Sequence, residues 1–429
     1  MKVLWLCNIM LPVIARQLGM PESNKEGWLS GLAGRLCKSG QQEVELGVCF
    51  PVSESPIKGV AAYEGGMNVA YYGFVEDTVH PEIYDNRLEV QLREIVQDFK
   101  PDVVHCFGTE YPHTLAMTKA FGRPERTLIG IQGLCFVYAD HYMADLPKEI
   151  QTRTLFRDFV KKDNLLQQQE KYRMRGEFEK EALSRVTHVT GRTDWDKKWT
   201  EQINPGVQYH FMNETLRGQF YGPVWDRDAC EPYRIFLSQG NYPIKGLHYM
   251  LQALPAIKEM YPEAHVCVAG DTITRFGTWK EKIKISNYGK YVIDLIKKYK
   301  LEESVTFLGR LNGEEMLAQY LKSHVFVSPS SIENSPNSVG EAMLLGMPVV
   351  SSDVGGVHNM LRDGEEGFLY PVSETDKLAR HICYVFADEN KDKVKAMGDA
   401  ARRHALITHD PETNYRRLLE IYHEINLCV

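Results

Sequence analysis

Two carboxylates, Glu333 and Glu341, stand with seven residues between them in the segment 328–356, SPSSIENSPNSVGEAMLLGMPVVSSDVGG. The pattern predicts a strand ending at Ser328, a polar loop carrying Glu333, and a helix opening near Ser338 and stopping at Gly346. The amides of such a helix N-terminus, around Asn337, Ser338 and Val339, form a ready site for an anion such as a diphosphate. Spacing alone allows plainer readings. Ser338-Val339-Gly340-Glu341 matches a capping box, and Glu333 reads equally well as a solvated loop carboxylate. A cation, Lys245, lies in a second loop, Ser238-Gln239-Gly240-Asn241-Tyr242-Pro243-Ile244-Lys245-Gly246, which follows another predicted strand. By itself it reads as a solvated lysine beside a turn.

These groups need a scaffold, and the rest of the chain supplies the pattern of one. Short apolar runs at 2–7, 44–50, 103–107, 128–132 and 186–190 alternate with helical patterns such as 87–99. A second series runs through 233–238, 265–269, 305–308, 325–328, 348–351 and 367–370. Alternation of this kind predicts βαβ units and parallel sheets, whose ligands bind at the carboxyl ends of the strands. The stretch 218–232 is rich in Gly, Pro and Asp and has no period, so the boundary is placed there. The expected domains are 1–222 and 223–411, with a final helix over 412–429 returning to the first.

The 429 residues suit two domains. A net charge of −7 argues against a nucleic-acid partner. Nine cysteines without a CxxC pair fit a reducing compartment, and no apolar run reaches the length of a membrane span. A cytoplasmic protein is expected. Over 153–175 seven Lys or Arg face three Asp or Glu, with Arg153, Arg157 and Lys161 at helical spacing beside Leu155, Phe156, Phe159 and Val160. A basic amphipathic helix here would give peripheral membrane contact, while a solvated helix face is the commoner outcome.

The acidic pair, Ala342, Gly346-Met347-Pro348-Val349-Val350 and Gly355-Gly356 together resemble the signature of glycosyltransferase family 4. The Lys245-Gly246 loop resembles that family's G-R-x…K-G loop, with Asn241 at the arginine position. Val305-Thr306-Phe307-Leu308-Gly309-Arg310-Leu311 resembles the strand and turn that lie against the nucleobase. The resemblance implies a GT-B fold, an α/β architecture of two Rossmann-like doubly wound parallel-sheet domains facing a cleft. It implies that Glu333 contacts donor-sugar hydroxyls, that Glu341 accepts from the ribose, and that Lys245 neutralises the leaving diphosphate. Gly240, Asn241, Arg310, Leu311, Asn334, Asn337, Ser338 and Val339 would complete the donor site.

In the first domain the resemblance is looser. Gly27-Trp28-Leu29-Ser30-Gly31 stands where the family has a Gly-rich loop, although a simple helix N-terminus fits it nearly as well, and Gln132 stands where many members place a His. His105, Glu110 and Arg192 are further acceptor-side candidates, although His105 and Glu110 read better as satisfied polar groups at strand ends. Asp194-Trp195-Asp196 and Asp226-Arg227-Asp228 match the D-x-D pattern of the other large transferase fold, but such matches arise by chance in a chain with 57 acidic residues. No metal or other cofactor is expected. The implied function is retaining transfer of a sugar from a nucleotide diphosphate-sugar, a UDP-sugar by preference, to a saccharide or lipid-linked saccharide. Resemblance of 191–196 and 213–217 to a subgroup that builds bacterial surface polysaccharides points to polysaccharide or capsule biosynthesis. The rival readings are a nucleotide-sugar 2-epimerase of the same fold and a degenerate binding or scaffold subunit.

Overall fold

The computed structural model describes residues 1–21, 27–38, 43–63, 67–274 and 278–427. The chain divides into two compact units. One comprises 1–139, 171–216 and 409–429, and the other 140–170 and 217–408.

The first unit is built on a sheet whose strands are β1 (Lys2–Leu6), β2 (Glu45–Val52), β3 (Ile57–Ala62), β4 (Asn68–Val75), β5 (Val103–Phe107), β6 (Thr127–Gly130), β7 (His188–Gly191) and β8 (Gln208–Phe211). Their order is β3-β4-β2-β1-β5-β6-β7-β8, parallel except for the antiparallel β3–β4 edge. Strand β1 lies between β2 and β5, and Val3, Leu4, Trp5 and Leu6 are all buried. A central parallel strand is covered on both faces, which is why it reads as a continuous apolar run. The helix Pro411–Leu427 belongs to this unit and packs Leu418, Ile421, Tyr422 and Ile425 into the same core. The Tyr422 hydroxyl accepts a 2.8 Å hydrogen bond from the Trp5 indole, so the phenol is satisfied where it is buried.

The second unit holds a wholly parallel sheet of β9 (Arg234–Leu237), β10 (His265–Ala269), β11 (Val305–Gly309), β12 (Val325–Ser328), β13 (Val349–Ser352) and β14 (Phe368–Tyr370). Its order is β11-β10-β9-β12-β13-β14. The chain winds outward from β9 through β10 to β11, then returns to the other side of β9 with β12. The direction of winding therefore reverses between β9 and β12, and a crevice opens there at the strands' carboxyl ends.

Two expectations change and one is narrowed. Residues 140–170 belong to the second unit, so a single cut at 222 does not describe the division. Asn287 ties them in: its Nδ2 donates to the carbonyls of Ile150 and Arg153 at 2.5 and 2.8 Å, and its Oδ1 accepts from Arg153 Nε at 2.7 Å. His248 adds a 2.8 Å contact to the Ala144 carbonyl. Second, 153–175 is not one amphipathic helix. A short helix, Phe156–Lys161, ends at Lys162 in a left-handed turn (φ 49°), and a new helix runs from Leu165 to Ser184. Third, of the two readings of Gly27–Gly31 the helix N-terminus is the one that forms, since Gly27 opens the helix Gly27–Lys38.

Candidate functional site

Lys245 closes a one-turn 3-10 helix, Pro243–Lys245, in the loop that follows β9, and Glu333 lies in the loop that follows β12. Because β9 and β12 are neighbours, both loops leave the sheet at the switch point. Backbone contacts then fix their separation. The Ser331 amide donates to the Ile244 carbonyl at 2.7 Å. Gly246 adopts φ 67°, and a Cβ there would lie 1.8 Å from the Pro329 carbonyl oxygen, so only glycine lets the two loops close. Lys245 Nζ consequently reaches Glu333 Oε1 at 2.5 Å, and the Ser330 hydroxyl donates to the same oxygen at 2.8 Å. The Glu333 backbone is held from the far side. Its carbonyl accepts from the Gly356 amide at 3.1 Å, and a Cβ on Gly355 would lie 1.8 Å from that oxygen. The Gly-Gly turn after β13 thus acts as a seat for Glu333.

Four residues beyond Glu333, the helix Asn337–Leu345 begins. Its N-cap is Pro336, no side chain caps it, and its first turn holds no acidic residue. The capping box over Ser338–Glu341 does not form, because proline brings the helix start forward and leaves Glu341 a turn inside. The Asn337 and Ser338 amides lie at the positive end of the dipole without a side-chain cap, while the Val339 amide donates to the Pro336 carbonyl at 3.0 Å. Glu341 is buried, and its two oxygens accept from Arg217 Nε and Nη2, each at 2.6 Å. Burial raises the Glu341 pKa, while Arg217 and the Tyr320 hydroxyl pull it down. Arg217, the partner of Glu341, is a candidate site residue that sequence reading missed, although it falls in the 213–217 stretch singled out above.

Other donor-side candidates are spread around this centre. Asn334 and Val339 are buried, and Asn337 and Ser338 are half-buried. Gly240 packs against Val268 and Leu247. Asn241 Oδ1 is buried with no hydrogen-bond partner among the described residues. Arg310 forms a two-pronged ion pair with Asp271 and is largely exposed, beside the half-buried Leu311.

The first-unit candidates fall into separate groups. Gln132 Nε2 donates to Glu214 Oε1 at 2.8 Å, and Arg192 pairs with the other oxygen of Glu214, which joins both candidates through a residue they had not been linked to. Arg192 also donates to the carbonyls of Ile131 and Gln132 at 3.3 Å. His105 is fully buried, 2.8 Å from the Tyr422 hydroxyl, and burial lowers its pKa to about 3. It is a neutral core histidine, and a direct acceptor contact is withdrawn for it. Glu110 accepts from Asn8 Nδ2 at 3.4 Å, and burial raises its pKa. Gly27 and Trp28 open a helix, but their side-chain surroundings lie outside the described residues. Of the D-x-D matches, Asp196 accepts from the Arg192 amide at 3.0 Å and pairs with Tyr209, while Asp226 accepts from the Asp228 amide at 3.0 Å. Among the described residues no three His, Cys, Asp or Glu side chains gather to hold a metal ion.

Beside this group lies a buried acid, Glu179, which accepts from the Phe136 amide at 3.2 Å and contacts the Thr109 hydroxyl. Burial pushes its pKa up to about 8. Between the unfolded value near 4.5 and about 8 the folded state then holds a proton that the unfolded chain has released. Stability should therefore fall as pH rises through that window, by up to about 1.4 kcal/mol per unit from this group. Urea unfolding at pH 6 and pH 8.5 checks it. Glu179→Gln should flatten the difference.

Residues 227–404 match the family model of glycosyl transferases group 1. The match covers nearly the whole of the second unit's main segment, including both carboxylates and Lys245. Among curated proteins, the chain is 28% identical over 207 residues to the sulfoquinovosyl transferase SQD2 of Arabidopsis thaliana, covering 46% of this chain and 36% of that protein. It is 27% identical over 173 residues to the phosphatidyl-myo-inositol mannosyltransferase of Mycobacterium leprae, covering 40% and 42%. The chain thus spans less than half the length of these curated relatives. Among solved structures, the sucrose-phosphate synthase of Thermosynechococcus elongatus superposes with a TM-score of 0.70 at 14% identity, over 99% of this chain and 98% of that one. Anabaena HepE in complex with UDP-glucose gives 0.67 at 16% identity, over 99% and 100%. The fold is GT-B: two Rossmann-like α/β units, each on a mostly parallel sheet.

Proposed function

We propose that the protein is a retaining glycosyltransferase of family 4, which takes a sugar from a nucleotide diphosphate donor bound on the second unit. The observation that carries this reading is the Lys245–Glu333 pair at the switch point, four residues ahead of an uncapped helix N-terminus. As the sugar–phosphate bond loosens, negative charge grows on the diphosphate, and Lys245 with the first-turn amides of Asn337 and Ser338 stabilises it. Glu333 accepts from donor-sugar hydroxyls, and Glu341 from the ribose. Asn241 Oδ1, buried without a partner, takes a hydrogen bond from the ligand where the family has an arginine. Attack from the leaving-group face, with a phosphate oxygen receiving the acceptor's proton, gives retention without an enzyme base and without a metal.

A UDP-sugar is the preferred donor, supported by the UDP-glucose complex of HepE, which shares the fold. The acceptor is a saccharide or lipid-linked saccharide of polysaccharide or capsule assembly. A cytoplasmic location is the reading given to nine cysteines scattered without a CxxC pair. The test is thermal unfolding of wild type and Lys245→Ala with UDP, GDP or ADP, with and without EDTA. A nucleotide at 100 times its Kd should add about 2.7 kcal/mol, insensitive to EDTA and lost in the variant. No shift with any nucleotide would remove the donor-site reading. Incubating the UDP-sugar without acceptor then separates transfer from epimerisation, since only an epimerase changes the sugar.

A further inference from the structure

Two short helices of the second unit carry large apolar side chains on their outer faces. In Phe156–Lys161, Phe156, Phe159 and Val160 are 65%, 75% and 62% exposed, and their i, i+3, i+4 spacing puts them on one face. This face is not turned outward by fraying. The helix is anchored through Asp158, which is buried, accepts from the Leu155 amide at 3.2 Å and the Asn287 amide at 3.1 Å, and pairs with Arg157. The neighbouring helix Trp279–Lys284 packs against it and is fixed by a capping box between Thr278 and Glu281. There Trp279 is 67% exposed and Ile283, one turn on, 38%.

The acids beside these side chains are engaged locally, Asp158 and Asp163 with Arg157 and Glu281 with the Thr278 amide, which leaves the exposed amines as the uncompensated charge among the described residues. Lys161, Lys162 and Lys284 are exposed, and among the described residues none of them forms an ion pair. A cavity of about 460 Å³ is lined by Arg157, Lys284 and Glu281, with Thr272, Ile273, Ile285 and Ser286. Of the other cations of 153–175, Arg153 bonds Asn287, Lys171 pairs with Glu82 and Arg175 donates to the Glu110 carbonyl, while Arg173 is exposed on the helix Leu165–Ser184. The basic stripe read from sequence is therefore replaced by a surface assembled from two distant segments.

Single exposed hydrophobes are ordinary, but two phenylalanines, a tryptophan and two β-branched residues on adjacent helices make a patch that calls for a partner. Aromatic rings flanked by long amines are what an anionic interface takes up, with rings at the headgroup level and amines on the phosphates. A second copy fits worse, because a two-fold contact through this face would set its lysines against the same lysines. We propose that this face docks the protein on an anionic phospholipid bilayer. With a chain charge of −7, the basic patch also sets the orientation, since most other approaches are repelled. The docking is independent of the transfer reaction.

Co-sedimentation of the full chain with vesicles of equal parts phosphatidylglycerol and phosphatidylcholine tests it, against pure phosphatidylcholine vesicles. Binding should require the anionic lipid and weaken with added salt. The pair Phe159→Ser and Trp279→Ser should lower partitioning by at least about tenfold with little change in melting temperature, since both side chains are already exposed. The pair Lys161→Glu and Lys162→Glu, which leaves the apolar patch intact, should lower it as well. Wild type remaining in the supernatant at low salt would overturn the proposal, as would unchanged binding by both variants. Light scattering that showed a dimer abolished by the serine pair, with no vesicle binding, would assign the face to self-association instead.

Discussion

Lys245→Ala should lower the rate of sugar transfer by about 10²–10³-fold, the size of loss seen when one preorganised donor is taken from a charge that develops in the transition state. The ammonium cannot be replaced locally, because Asn241 stands where the related loop has its second cation. Removing one partner of a largely buried ion pair also costs stability, since Glu333 keeps only the Ser330 hydroxyl on the oxygen that Lys245 held. The two effects separate with a second substitution. Adding Glu333→Gln removes the stranded charge, so the melting temperature should recover while the rate does not. Glu333→Gln alone should also slow transfer, because the neutral amide presents a single acceptor oxygen to the sugar and loosens Lys245. Steady-state rates with calorimetric melting of the three variants are the measurement. A rate that recovers along with the melting temperature would make the pair structural, and Glu333→Gln at the wild-type rate would end its positioning role.

Much of this centre was legible before any coordinates. The two carboxylates, Lys245, and the Gly-Gly turn are local motifs, each set by a strand end and the loop after it. Period and apolar run length place strand ends well, because a buried parallel strand has no choice but to be apolar throughout. Strands β3 and β8 went unread for the converse reason. β3 alternates exposed and covered residues and carries a glycine, and β8 is short and largely solvated, so neither offers a continuous apolar signal.

What sequence could not give was partnership across distance. Residues 140–170 sit in the second unit because Asn287 binds their backbone, and nothing local in either segment announces a pairing more than 130 positions apart. Helical spacing over 153–175 was genuine as a pattern, yet Asp158 buried against Asn287 and the left-handed turn at Lys162 break it into pieces. The capping box at Ser338 failed on a single residue: Pro336, already fixed in φ, starts the helix earlier and removes the geometry in which Glu341 could reach back. Freed from that role, Glu341 takes Arg217.

That pairing gives the second large effect. Arg217→Met should destabilise the protein by about 3–5 kcal/mol at neutral pH, because a carboxylate held by two 2.6 Å bonds becomes an uncompensated buried charge. The penalty has a definite pH dependence. Burial already raises the Glu341 pKa, and removing the cation raises it further, so the folded variant retains a proton that its unfolded chain loses near pH 4.5. Stability of the variant should therefore fall as pH rises above that value, and its deficit against wild type should shrink in acid, where a neutral Glu341 needs no cation. Combining Arg217→Met with Glu341→Leu removes both charges and should restore most of the stability. Nucleotide binding should not return, since the ribose has lost its acceptor; a Kd weakened about 10–100-fold corresponds to one charged hydrogen bond. Denaturant titrations across pH and calorimetric binding of UDP read the two quantities separately. If the double variant bound UDP as wild type does, Glu341 would be a structural carboxylate, and the Lys245–Glu333 pair would carry the donor site without it.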